Sequence, residues 1–174
     1  MATTAMNTYS YSILVKEGVH PPVTMTVHGS NIFPGMPVTC TGETWPDVGL
    51  PDAISDSVFG VAGLLENQDI GTVYADDAEI PVYTTGSAAI VRMYHKGTPS
   101  GGSIVAGDIL VACGLEDAGH VAPLAKQIDA IMEGDYTSTV LATTITILFS
   151  IVGRAQETHA SAAANTPIKV LLSI

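Results

Sequence analysis

The sequence predicts an all-β fold of two related barrel-like or sandwich-like units packed together, with little helix. Three observations carry that expectation. Seventeen Gly and ten Pro cut the 174-residue chain into short segments, and such punctuation leaves little room for helices. The segments between them are rich in β-branched residues, and several alternate. In Val23-Thr24-Met25-Thr26-Val27-His28 the apolar side chains fall on one face and the polar ones on the other. Finally, a phrase built on a turn glycine occurs twice, as Ile32-Phe33-Pro34-Gly35-Met36-Pro37-Val38 and as Ile104-Val105-Ala106-Gly107-Asp108-Ile109-Leu110.

Taken in order, residues 1–10 form a polar arm and the β body covers 11–174. Strands are expected at 11–16, 23–28 and 36–41, each a β-branched or aromatic run ending at Gly, His or a polar cluster. Residues 42–56, GETWPDVGLPDAISD, hold too much Pro, Gly and Asp for regular structure and predict a long surface loop whose Trp45 packs over another part of the protein. Further strands are expected at 58–65, 79–85, 88–94, 109–113, 121–125, 139–149, 151–155 and 168–173. A helical turn is expected only at 123–133, where Leu124, Ile128, Ala130 and Ile131 fall near helical spacing.

The repeat has three landmarks in one order. Gly35 lies on Gly107, with Ile32 on Ile104 and Val38 on Leu110; Gly60 lies on Gly153, with Ala62 on Ala155; Ile80 lies on Ile168, with Val82 on Val170. Glycine tolerates positive φ, so the chain can reverse and enter a strand at once. The copies run over about 26–95 and 101–174, and the second needs an insertion over roughly 126–148. Each half alone leaves unpaired edges and half a core, and packing the halves together covers both.

Composition narrows the function. The hydrophobic share is 47% and the charged share 13%, enough apolar surface to offset the ordering entropy of a folded chain. The net charge is −11, which repels phosphate and anionic lipid head groups, so nucleic acid is not an expected partner. Arg92 and Lys96 stand nearly alone and form no basic stripe. No basic stretch followed by an apolar one opens the chain, and the run 140–152 is too short to span a bilayer, so no membrane partner is expected.

Catalytic chemistry is poorly provided for, and no cofactor is expected. His20, His28, His95, His120 and His159 sit in five separate segments without metal-ligand spacing and predict ordinary exposed or strand-end residues. Asp76, Asp77 and Glu79 offer oxygens for a cation but lack the spaced loop that wraps Ca²⁺, so a solvated turn is the simpler expectation. Ser100 and Ser103 lie in neither a nucleophile elbow nor a phosphate loop. Cys40 and Cys113, each in an apolar run, predict buried free thiols, with a mutual disulfide as the other reading. Trp45 and the scattered Tyr9, Tyr11, Tyr74, Tyr83, Tyr94 and Tyr136 suggest packing at strand edges, or alternatively a sugar platform.

One set of phrases points further. Ala106-Gly107-Asp108-Ile109-Leu110, then Gly119-His120-Val121, then Val152-Gly153-Arg154-Ala155-Gln156-Glu157 follow the earlier Phe59-Gly60-Val61-Ala62 and Thr84-Thr85-Gly86. Over about 26–174, with 126–146 departing from the pattern, this resembles the capsid decoration (cement) proteins of tailed phages and related viruses, a family of small β-barrel head proteins. The resemblance implies a structural role and no enzyme: a homotrimer made in the host cytoplasm and carried on the outer surface of the virion. There it would clamp neighbouring copies of the major capsid protein. It also implies that an extended N-terminal arm adds a strand to the lattice. Thr3, Thr4, Met6, Tyr9, Tyr11 and Trp45 are then the candidate contacts with the capsid or with other subunits. A self-assembling surface or filament subunit and a carbohydrate-binding β module are the alternatives.

Overall fold

A computed structural model describes residues 13–29, 31–41, 45–53, 56–66, 68–95, 103–113, 117–132, 145–159 and 167–173. The fold is all-β with little helix. Among the described residues, eleven strands run in chain order: β1 (Leu14–Lys16), β2 (Val23–Val27), β3 (Pro37–Cys40), β4 (Asp47–Gly49), β5 (Gly60–Ala62), β6 (Glu79–Thr84), β7 (Ile90–Tyr94), β8 (Ile109–Ala112), β9 (Val121–Pro123), β10 (Ile151–Ala155) and β11 (Pro167–Leu171). A helix, α1 (Leu124–Met132), follows β9 directly, and a 3-10 turn, Ile147–Ser150, leads into β10.

The strands form two sets. The first is a closed barrel in the order β2-β4-β3-β5-β6, and the second a six-stranded sheet in the order β1-β7-β11-β10-β8-β9. Their registers correspond. Val38 pairs with Gly60 in the first set, and Leu110 pairs with Gly153 in the second. Ala62 faces Val82 as Ala155 faces Val170. The correspondence extends to strands that the sequence phrases do not reach: Met25 pairs with Ile80 as Met93 pairs with Ile168, and Cys40 pairs with Val48 as Ala112 pairs with Val121. In the first set the parallel pair Val27–Val48 closes the ring. At the same place in the second, a parallel bridge joins His95 to Val121. β7 therefore opens the second set, although the sequence boundaries place it at the end of the first copy.

The two turn glycines show how the units differ. Both have positive φ, +88° at Gly35 and +98° at Gly107, a conformation that L side chains rarely adopt. Gly35 is packed against the second unit: a Cβ there would lie 2.9 Å from the Arg92 carbonyl oxygen and 3.2 Å from the Ile13 side chain. Its neighbours Phe33 and Met36 are buried with Tyr94 in a small cluster. Around Gly107 there is open space. Asp108 stands in the place of Met36 and accepts a 2.9 Å hydrogen bond from the Val105 amide, which completes the turn without a partner unit.

The main cores follow from strand alternation. Met25, Val27, Val38, Val48, Ala62, Ile80 and Val82 fill the first barrel. The second core holds Val91, Met93, Leu110, Ala112, Val121, Val152, Ile168 and Val170, and it also takes in Val58, Val61 and Ile70 from the first unit. On β5, Ala62 thus points into the first barrel while Val61 points into the neighbouring core, as period two requires.

Four expectations need correction. The loop expected at 42–56 contains β4, whose three residues have a single fully buried apolar side chain, Val48, too brief a signal among Pro and Asp. The strand expected at 139–149 is not one where it is described. Ile147 and Ser150, three residues apart, are the buried positions of the 3-10 turn, and a three-residue repeat is the period of that helix. The strand expected at 121–125 stops at Pro123, where α1 begins. Cys40 is exposed where a buried thiol was expected, because the last residue of β3 turns outward; Cys113 is buried, and the two are not bonded.

Candidate assembly surface

Most of the titratable residues singled out in the sequence stand apart among the described residues, although the His95 and His159 rings meet edge-on with centres 5.8 Å apart. Among the described residues, no group of three or more His, Cys, Asp or Glu side chains is placed to hold a metal ion. Asp76 and Asp77 lie exposed in the turn before β6 and Glu79 exposed at its first residue; the Asp76 carboxylate accepts a 2.8 Å hydrogen bond from the Gly29 amide. His20 and His28 are exposed, and His120 and His159 half-buried. His95 has the strand-end place expected of it but is buried, 1% exposed. Its register position is that of Val27 in the first barrel, which turns its ring into the interior. Tyr74 and Tyr94 are also interior, and the Tyr74 hydroxyl donates to the Gly63 carbonyl. Burial pushes the Tyr74, Tyr83 and Tyr94 hydroxyls above their ordinary pKa.

What the fold does present is apolar surface. Trp45 is 65% exposed and stands edge-on to Phe59, ring centres 5.6 Å apart. Phe59 is half-buried, and its neighbour Val58 donates its amide to the Phe149 carbonyl at 3.3 Å. Phe149 is 61% exposed, and Ile145 and Leu148 beside it are about half exposed. Trp45 with Phe59, and Phe149 with its chain neighbours Leu148 and Ile145, thus form a belt of apolar side chains linked through the Val58 amide where the two units meet. Next to it, Thr39, Cys40, Ser57, Thr84 and Thr85 line a shallow depression of about 350 Å³ that contains no charged side chain.

The second presented feature is a sheet edge. β1 pairs with β7 through Leu14–Val91 and Lys16–Ile90, covering the edge of the second unit. At the corresponding place on the first unit stand Pro22 and Val23, both exposed. Proline has no amide to donate, so that edge is guarded against strand addition.

Of the candidate contact residues, Trp45 lies in the belt. Thr3, Thr4, Met6, Tyr9 and Tyr11 fall outside the described residues, as do Ser100 and Tyr136. Sequence reasoning missed Phe59, Phe149, Leu148 and Ile145, because apolar residues in a presumed strand read as core; a strand of 139–149 would have put alternate residues inside. The chain matches no protein-family model, and no curated protein matches it. No helix among the described residues is long and apolar enough to cross a membrane.

Proposed function

We propose that this protein is a structural binding module that decorates the outer surface of a viral capsid, with the belt around Trp45 and Phe149 seated on the major capsid protein. The observation that carries this reading is the belt itself: exposed Phe149, Leu148 and Ile145 beside Trp45 and Phe59 at the junction of two register-matched units. Isolated apolar residues on a surface are ordinary, whereas a contiguous group marks a contact site. Trp and Phe at the centre of such a patch supply most of the binding energy when water is excluded from them.

The filament alternative is less well supported. The turn of the second unit that would repeat the internal contact carries Asp108 in place of Met36, and Pro22 stands at the exposed start of β2. Both features oppose head-to-tail growth. The carbohydrate-binding alternative rests on Trp45, whose ring is exposed enough to stack on a sugar.

The test is sedimentation of the purified protein with expanded capsid shells that lack a decoration protein. Co-sedimentation is expected, weakened at least about tenfold by Trp45→Ser or Phe149→Ser. No binding to shells, together with retention on a glycan array that Trp45→Ser abolishes, would replace this reading with the carbohydrate one.

A further inference from the structure

The basic residues are unevenly placed. No Lys or Arg occurs from Glu17 to Val91, a stretch that holds ten of the seventeen Asp and Glu. A cation that meets a partner's carboxylate therefore comes from β1 or from the second unit.

The outer face of the six-stranded sheet carries such a cation on β10. Val152 and Ala155 of that strand enter the core, and Arg154 between them is exposed. Its neighbours across the strands are Ile109 of β8 and Leu171 of β11. Lys169, two residues before Leu171, is committed, because its ammonium lies 3.0 Å from the Glu157 carboxylate. Arg154 has no carboxylate partner among the described residues. Its guanidinium donates from Nη1 to the Gly107 carbonyl at 3.3 Å, longer than the usual range. A guanidinium presents its donors in a planar fork that matches a carboxylate, and most of this fork is left to solvent.

Arg154 also lines a depression of about 330 Å³, together with Ile109, Ile151, Gly153 and Ser173. Two of those walls are aliphatic, and Gly153 adds no side chain. Ile151 follows Phe149 by two residues, so the depression continues the belt along β10.

We propose that Arg154 and this depression receive an acidic side chain of the major capsid protein, whose carboxylate takes both arms of the guanidinium while its methylenes lie on Ile109 and Ile151.

Resting on the capsid-binding reading above, this contact adds to the belt what apolar burial lacks. Excluding water from Trp45 and Phe149 is non-directional, whereas a paired guanidinium and carboxylate fix an orientation. Arg joins Trp among the residues that dominate protein contacts. The isoleucine walls keep solvent and salt from the pair better than an open surface does.

The test is sedimentation with the same expanded shells at constant salt, on variants shown to be folded by circular dichroism. Arg154→Gln is expected to weaken co-sedimentation about tenfold or more, and Arg154→Lys less, because an ammonium keeps the charge without the fork. Thr72→Glu makes the same change in net charge at an exposed turn of the first unit and is expected to bind like the parent. Carbodiimide activation of the Arg154→Lys complex joins the new amine to the partner's carboxylate as an amide, with the urea released. Peptide mass spectrometry is then expected to find position 154 joined to an Asp or Glu of the capsid protein. Undiminished binding by Arg154→Gln, equal weakening by Thr72→Glu, or a cross-link from position 154 only to this chain overturns the proposal. A parent protein that does not sediment with the shells removes the capsid reading and this contact together; binding that Phe149→Ser weakens and Arg154→Gln does not removes this contact alone.

Discussion

Replacing Gly153 by alanine is a demanding test of the strand pairing. Gly153 sits in β10 opposite Leu110, with β11 on its other side. A Cβ there would fall 2.1 Å from the Leu171 carbonyl oxygen and 2.9 Å from its carbonyl carbon, with a Val170 methyl at 3.1 Å. The first two are backbone atoms of β11, so relief requires moving a strand paired on both sides rather than turning a rotamer. Overpacking a tight interior costs about 1–3 kcal/mol when side chains can adjust, and here they cannot, so about 3 kcal/mol or more is expected. That is a large part of the roughly 5–15 kcal/mol that typically holds a domain together. Gly107→Ala is the control: it meets no atom within 4 Å but has φ +98°, which costs about 1–2 kcal/mol. The assay is urea unfolding followed by far-ultraviolet circular dichroism, with stability taken from the midpoint at constant slope. A Gly153→Ala protein within 0.5 kcal/mol of the parent, or one no less stable than Gly107→Ala, refutes the registers on which the correspondence between the units rests.

Gly60→Ala, whose Cβ would meet the Tyr83 carbonyl at 2.5 Å, is expected to destabilise in the same assay by slightly less than Gly153→Ala. Tyr74→Phe removes the donor to the buried Gly63 carbonyl and is expected to cost about 1–2 kcal/mol in urea unfolding. At Glu157 burial raises the carboxyl's pKa, but the hydrogen bonds from Lys169 and the attraction of Lys169 and His159 outweigh it and hold the group below its ordinary value. The stability it contributes is present above the unfolded value, about 4.3, and is lost as pH falls through the folded one. Because the pair is partly exposed, Glu157→Gln is expected to cost about 0.5 kcal/mol or less at pH 7 and nothing at pH 2, measured by thermal melts across that range. One thiol per chain is expected to react with an aromatic disulfide reagent in the native protein and two in denaturant: Cys40 is exposed, though partial burial pushes its thiol up and slows it, and Cys113 is buried.

The parts of this fold that can be read from sequence are those decided locally. A glycine at positive φ followed by an alternating strand is specified within a few residues, and so the phrases around Gly35 and Gly107 mark strand entry in both units. The aligned positions Val38 and Gly60, Leu110 and Gly153, are direct partners across strands because apolar position and glycine close approach are both written into the same short words. What depends on distant contacts is less legible. β4 is a strand because β2 and β3 flank it, not because Asp47-Val48-Gly49 favours one. The interior place of His95 follows from its register with Val121, a partner on another strand, and not from any local cue. The belt shows the same limit: Leu148 and Phe149 have the composition of a core, and only the 3-10 turn faces them outward.

Val58, Val61 and Ile70 lie with the side chains of the other half rather than inside the ring of their own. Neither half is therefore a module that can be borrowed, shuffled or trimmed away: severed at the connection after β6, each would show water the greasy flank its twin now covers. Whatever changes accumulate in one half must keep fitting its sibling, so the pair is bound to drift as one object.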